Sequence, residues 1–363
     1  AYIKASNTDR GDHFGVSVAL SADGSVLAVG APGEASTTTG VNGDQDDNSV
    51  DSVGAAYVFR FDGSNWYQEA YLKASTAFFG FTFGGSAALS ADGNTLAIGA
   101  PSWRSGRDVL HAVYIFQYDG SKWQLQTEIP KYTIADFGNE VALNGQGNRL
   151  AVSEPSSEPG SILVYRSDGV DWNEDSAIYG TDLSCGPCDQ LALFGMQMDL
   201  SSDGTTIAAS SVRLDQSTGN WMPQNHGLRL NGTTWIEQAT IVIPDHLEQG
   251  GDLALTQNGN VLGIGVIRND SAATGINGDQ TDTSAPRSGA VFLYRYANAE
   301  WRQKAFVKAP NTDSNDLFGG LVDLSQDGDT LVVGAAREDS QSIGINGDQD
   351  DNSADDAGAV YIY

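Results

Sequence analysis

One pattern recurs along the chain and restricts it to a repeat architecture. It reads FGVSVALSADGSVLAVGAP at 14–32, FGGSAALSADGNTLAIGAP at 83–101 and FGNEVALNGQGNRLAVSEP at 137–155. It returns as FGMQMDLSSDGTTIAASSV at 194–212 and FGGLVDLSQDGDTLVVGAA at 318–336, with a degenerate copy, GGDLALTQNGNVLGIGVI, at 250–267. The unit is about 60 residues long, in the range of β-propeller blades rather than helical arrays. Each copy opens with an alternating strand, 16–20 in the first. A Ser-Ala-Asp-Gly turn follows, in which Gly24 can take the positive φ of a tight hairpin. A small apolar strand, 27–31, comes next, then a loop of variable length. A third strand, GAAYVFRF at 54–61, and a Trp-bearing fourth, WYQEAYLKAS at 66–75, complete the unit. No helical period of useful length appears.

Four short antiparallel strands per repeat cannot bury both faces of one sheet, but stacked sheets can. The expectation is an all-β, single-domain β-propeller over 1–363. Six four-stranded blades would start near 14, 83, 137, 194, 250 and 318. The N-terminal AYIKAS (1–6) matches the fourth strand AYLKAS (70–75), whereas the last copy stops after a third strand, GAVYIY (358–363). Residues 1–6 are therefore expected to complete the last blade and close the ring.

The Phe-Gly openings and Gly-Ala-Pro endings, Phe14-Gly15 with Gly30-Ala31-Pro32 and Phe83-Gly84 with Gly99-Ala100-Pro101, resemble the FG-GAP repeat of integrin α-subunit propellers. That repeat also occurs in secreted bacterial and algal proteins, including adhesin and lectin-like propellers. The resemblance covers nearly the whole chain. It implies a propeller that binds proteins or sugars more often than it catalyses, with Ca²⁺ in some loops. The integrin metal loop lies between the first two strands; here that hairpin is the short SADG, and the acidic residues sit elsewhere.

Lys and Arg number 19 against 47 Asp and Glu, a formal charge of −28. That charge argues against nucleic acid and anionic membrane surfaces, and suits a solvated extracellular protein or a cation binder. No apolar run approaches the length of a membrane span. The expected location is secreted or cell-surface, within a larger multidomain chain.

Three long loops between the second and third strands share a module: NGDQDDNSVDSVG (42–54), NGDQTDTSAPRSG (277–289) and NGDQDDNSADDAG (346–358). Asp44, Asp46 and Asn48, and likewise Asp348, Asp350 and Asn352, alternate hard oxygen ligands as a Ca²⁺ loop does. The middle copy keeps Asp279 and Asp282 but has Thr281 and Thr283, so weaker binding is expected there. The alternative is that these carboxylates cap turns through their own backbone. A second acidic element, NTDRGD (7–12) and NTDSND (311–316), precedes two Phe-Gly openings. Its Arg10-Gly11-Asp12 matches the integrin-binding tripeptide. The repeat specifies only the flanking aspartates, so the tripeptide is expected to be incidental.

Trp66, Trp123, Trp172, Trp235 and Trp301 share the fourth-strand position and are expected in the core. Trp103 and Trp221 fall in variable loops, where an exposed indole could stack on a sugar; Arg104 and Arg107 beside Trp103 could hold acidic groups. Cys185 and Cys188, in SCGPCD, are expected to staple a loop. The four His residues show no zinc-like spacing, and His111 is expected to be structural. The function expected is an extracellular binding module for a glycan or protein. A propeller-based polysaccharide lyase or glycosidase, or a structural spacer, are the alternatives.

Overall fold

The computed structural model describes residues 1–102, 110–132, 136–156, 159–183, 191–215, 217–243 and 251–363. The strands follow the repeat. The first sheet holds β1 (Val18–Leu20), β2 (Val26–Ala31), β3 (Ala55–Phe61) and β4 (Trp66–Leu72). The second holds β5 (Ser86–Leu89), β6 (Thr95–Ala100), β7 (Leu110–Tyr118) and β8 (Trp123–Tyr132). The third holds β9 (Val141–Leu143), β10 (Arg149–Glu154), β11 (Ser161–Ser167) and β12 (Trp172–Tyr179). In the fourth, β13 (Leu191–Ala192) and β14 (Met198–Leu200) both pair with β15 (Thr206–Asp215), followed by β16 (Asn220–Asn231) and β17 (Thr234–Ile241). The fifth comprises β18 (Leu253–Leu255), β19 (Val261–Val266), β20 (Ala290–Ala297) and β21 (Glu300–Val307). The sixth comprises β22 (Phe318–Leu324), β23 (Leu331–Ala335) and β24 (Ala359–Ile362). These six antiparallel sheets are the blades of a β-propeller fold, as the repeat predicts.

The last sheet has three assigned strands, and residues 1–6 carry no strand assignment. Ile3 and Ala5 pack on the core formed by Val29, Ala31, Tyr57 and Tyr71 of the first blade.

Contacts divide the chain into two compact units, one carrying β1–β12 and the other β14–β24. Within each unit the blades join the same way. The Phe-Gly carbonyl of one blade lies against the bare backbone of the previous blade's Gly-Ala-Pro glycine. A Cβ on Gly30 would stand 1.9 Å from the Gly84 carbonyl oxygen, and one on Gly265 2.0 Å from that of Gly319. No side chain fits there. The phenylalanine ahead of each such carbonyl is sealed in the seam. Phe83, Phe137 and Phe318 have no exposed surface. Phe83 packs among Val26, Val58, Leu96 and Tyr114 of two neighbouring blades, and Phe318 among Val291, Val322 and Val333. Backbone hydrogen bonds also run between the hairpin turns of successive blades, from Ala22 to Ala91, Ala91 to Gly145 and Gly145 to Ser202.

The innermost strands of the second unit carry carboxylates across the blade joints. Asp199 accepts the Leu255 N–H at 2.7 Å, and Asp252 accepts the Val322 N–H at 3.2 Å. Burial pushes Asp199 up to about 7 and Asp252 up to about 6, against their backbone hydrogen bonds, with neighbouring carboxylates adding to the rise. Their folded-state values lie above the ordinary carboxylate range near ~3.9. The stability they contribute is therefore complete below that range and lost as pH climbs through 6 and 7. Turn-capping carboxylates such as Asp23 and Asp47, held at about 2 by hydrogen bonds, finish titrating at lower pH. The thermal midpoint should fall as pH rises from about 4.5 to 6.5. Asp199→Asn should flatten part of that slope in a pH series of melting curves.

Candidate functional site

The long second-to-third-strand loops and the acidic segments that precede the Phe-Gly openings build one polar module, repeated in both units. In the first blade, Asn7 Nδ2 donates to Glu34 Oε1 at 3.2 Å and to the Gln45 carbonyl at 2.8 Å, while the Tyr57 hydroxyl donates to Asn7 Oδ1 at 2.6 Å. The Asp9 N–H donates to Asp12 Oδ2 at 2.8 Å, and Asn48 Nδ2 to Asp9 Oδ2 at 2.7 Å. In the sixth blade the partners are Asn311 with Glu338, Gln349 and Tyr361, Asp313 with Asp316, and Asn352 with Asp313, all between 2.7 and 3.0 Å.

This geometry settles the tripeptide at 10–12. Asp12 is 5% exposed and turned inward onto Asp9, so the Arg-Gly-Asp is not displayed. Gly11 has φ +94°, a turn position that suits glycine.

Most of the acidic residues cap turns. Asp44, Asp279 and Asp348 each accept the N–H two residues on, from Asp46, Thr281 and Asp350. Asp47 accepts the Thr37 N–H and hydroxyl through one oxygen and the Ser49 N–H through the other, which holds its carboxyl at about 2. Asp282 does the same for Ala272 and Ser284, and its carboxyl is likewise lowered by these hydrogen bonds. A serine hydroxyl closes each loop onto the carbonyl of its first aspartate: Ser36 to Asp44, Ser271 to Asp279 and Ser340 to Asp348. Asp46 and Asp350 are exposed, and the amides of Asn48 and Asn352 donate to Asp9 and Asp313. Among the described residues, no group of three or more His, Cys, Asp or Glu side chains is gathered so as to hold a metal ion. Asp44, Asp46, Asn48, Asp279, Asp282, Asp348, Asp350 and Asn352, the residues expected to bind Ca²⁺, lie in these capped loops.

The other candidate residues separate. Trp221 stands on β16, paired with Leu214 across a hairpin in which β15 and β16 outrun the strands of the neighbouring blades, and it is 42% exposed. The hairpin tip is closed by Asp215, which caps Ser217. Trp103, Arg104, Arg107, Cys185 and Cys188 lie outside the described residues. Of the repeat tryptophans, Trp123 is fully enclosed and donates to Glu69 Oε2 at 2.9 Å in the adjoining blade; Trp66, Trp172, Trp235 and Trp301 are half-buried. His111 is buried and accepts the Ser102 N–H through Nδ1 at 3.1 Å, a structural role.

Two buried polar groupings escaped the sequence reading. Beneath the first-blade loop, Lys73 Nζ meets Glu34 Oε2 at 2.5 Å with both side chains 1% exposed, and the Tyr71 hydroxyl donates to Glu34 Oε1 at 2.8 Å. In the fourth blade, His226 Nε2 lies 2.7 Å from Ser211 Oγ and Nδ1 lies 2.8 Å from Glu237 Oε1. This is the connectivity of a hydrolase relay, but Ser211 is 0% exposed, so its hydroxyl is sealed from a substrate. The signal in the sequence was a histidine where the matching third-strand positions hold Tyr57, Tyr114, Leu163, Phe292 and Tyr361.

The FG-GAP repeat family matches residues 1–59 and 301–363. Among solved structures, a functionally unknown protein from Desulfotomaculum acetoxidans DSM 771 superposes with a TM-score of 0.52 at 10% identity, over 97% of this chain and 90% of that one. The periplasmic gluconolactonase PpgL of Pseudomonas aeruginosa gives 0.50 at 16%, over 92% and 83%. TolB from Acinetobacter baumannii gives 0.43 at 12%, over 82% of this chain; the chain spans 55% of that TolB's length. At these identities the likenesses show the fold alone. No curated protein matches the chain. Fold and site thus define a repeat β-propeller whose glycine joints and capped loops recur from blade to blade. The chain is a β-propeller whose residues 1–59 and 301–363 match the FG-GAP repeat.

A buried ion pair that loses one partner leaves an uncompensated charge. Glu34→Ala should therefore lower stability by about 3–5 kcal/mol, whereas replacing Glu34 and Lys73 together with methionine should cost far less. Denaturant titration of the three proteins measures both; a small loss in Glu34→Ala would show that the pair is not sealed.

Proposed function

We propose that the chain is a secreted or cell-surface binding module, part of a larger protein, that recognises a glycan or protein through its second-to-third-strand loops. The observation that carries this reading is the long β15–β16 hairpin, which presents Trp221 half out of a regular strand pair. A rigid indole on an extended hairpin offers apolar stacking area at low entropic cost, which suits a sugar ring or a hydrophobic side chain. Trp103, Arg104 and Arg107, in the corresponding sequence segment of the second repeat, are proposed as ligand-binding residues on their residue types alone. The charge of −28 fits an extracellular setting and disfavours nucleic acid. Among the described residues no helix is long and apolar enough to cross a membrane. Among the described residues, the His226 relay gives the enzymatic reading little support, because its serine is enclosed.

Binding to a glycan array should identify a ligand for the wild-type chain. Trp221→Ala should weaken that binding about tenfold, or ~1.4 kcal/mol, without shifting the thermal midpoint. Unchanged binding in Trp221→Ala would move the site off this hairpin. The loops hold themselves with their own caps, so the reading rests on recognition and not on a metal. Its calcium part, through the outward carboxylates of Asp46 and Asp350, predicts a melting temperature that rises with added Ca²⁺ and falls in EDTA. Identical melting curves in the two would remove calcium from it.

A further inference from the structure

Asparagine followed two residues later by Ser or Thr, with a residue other than Pro between them, occurs at two places: Asn231-Gly232-Thr233 and Asn269-Asp270-Ser271. This is the acceptor pattern for an N-linked glycan. An acceptor must offer its carboxamide and its hydroxyl to an enzyme together, and the fold treats the two places in opposite ways. Asn269 is 1% exposed and Ser271 0% exposed. The Asn269 Oδ1 accepts the Ser271 N–H at 3.2 Å, and the Ser271 hydroxyl donates to the Asp279 carbonyl at 2.6 Å. Both groups of that triplet are enclosed and engaged within the loop.

Asn231 stands where β16 turns into β17. In the first three blades the matching turn opens on an aspartate that caps it. Asp62 accepts the N–H groups of Ser64 and Asn65, Asp119 those of Ser121 and Lys122, and Asp168 those of Val170 and Asp171, at 2.7–3.0 Å. The fourth blade has asparagine there and a shorter turn. Asn231 pairs with Thr234, which leaves Gly232 and Thr233 at the tip, with Gly232 at φ +67°. A positive φ at the first tip position of a two-residue hairpin calls for glycine. The strand pairing closes this turn without a side-chain cap. Among the described residues neither the Asn231 carboxamide nor the Thr233 hydroxyl makes a hydrogen bond, and residues 231–234 are all exposed.

We propose that Asn231 carries an N-linked glycan. The proposal rests on the extracellular part of the function proposed above, because the reaction acts on chains entering a secretory compartment. The donor is an oligosaccharide carried on a lipid diphosphate. The Asn231 Nδ2 attacks C1 of its first sugar. The Nδ2–C1 bond forms, the C1–O bond to the diphosphate breaks, and the lipid diphosphate leaves while Nδ2 gives up one proton to a base of the transferase. No oxidant or reductant is needed. About ten residues of β16 separate Asn231 from Trp221, or roughly 33 Å at about 3.3 Å per residue. The glycan therefore covers one end of the fourth blade and leaves the Trp221 hairpin open.

The test produces the full chain behind a cleavable secretory leader in a eukaryotic cell. Its intact mass is read before and after treatment with peptide N-glycosidase, and a peptide map locates the asparagine that the enzyme converts to aspartate. The expected result is one removable glycan, with Asn231 alone converted. Asn231→Gln and Thr233→Ala should each give the bare sequence mass, and Thr233→Ser should keep the glycan. Wild-type chain at its sequence mass, whether released or held in the lumen, overturns the proposal. So does a glycan on Asn269, or one that survives in Asn231→Gln. Those outcomes leave the binding reading standing, because the glycan array tests Trp221 separately. A glycosylated chain that binds nothing on the array sinks that reading and upholds this one.

Discussion

Everything in this fold hangs on the approach of one glycine to the next repeat's backbone. With 1.9 Å between a would-be Cβ on Gly30 and the Gly84 carbonyl oxygen, the joint tolerates hydrogen and nothing larger. Close backbone contact brings the inner strands of adjacent blades together, and that lets Phe83 be walled in by residues from both. The two halves of the FG-GAP motif are therefore two sides of one contact, made not within a repeat but between neighbours. Parallel bridges from Gly54 to Phe83 and from Gly289 to Phe318 add a second tie at the same places. Outside the joint the sheets need only ordinary alternation, with a bulge between strands three and four in each four-stranded blade to turn the outer edge.

The blade ends at the long loops are organised differently. There the interior is polar, and three blades solve the same problem with different chemistry: a lysine–glutamate pair in the first, a histidine with serine and glutamate in the fourth, a lysine with a serine hydroxyl and the Gly289 carbonyl in the fifth. Buried polar groups need partners, and a network satisfied within one blade leaves its neighbours free to use another. The loops above follow the same economy. Their carboxylates are spent on backbone N–H groups two residues along, so a dense acidic run becomes a set of rigid turns.

The strands, their order and the six-blade repeat could be read from the sequence because they depend on local signals: alternation, a four-residue turn with Gly24, and glycine at the joints. The incidental nature of Arg10-Gly11-Asp12 was legible too, since its partner segment at 311–316 keeps only the aspartates. What could not be read depends on neighbours far along the chain. Nothing local says that Glu34 will meet Lys73, or that His226 will lie between Ser211 and Glu237. The match between 1–6 and 70–75 marked an apolar segment, and Ile3 and Ala5 do pack on a blade core, that of the first blade. The acidic loops could be read as turn caps or as ligands, because both uses call for the same residues at the same spacing.

The glycine joint also sets where this protein can change. A contact made of backbone on both sides is indifferent to side-chain chemistry but unforgiving of length or Cβ atoms. The second-to-third-strand loops meet it only through their last residues, where the Phe83 N–H donates to the Val53 carbonyl and the Phe318 N–H to that of Ser288. They already differ from one another in length, from the short 155–160 stretch between β10 and β11 to the long acidic segments of the first and fifth blades. Such a scaffold ties each of these loops to the next blade through its last residues, so that the stretch before them can change one blade at a time without renegotiating how the blades fit together.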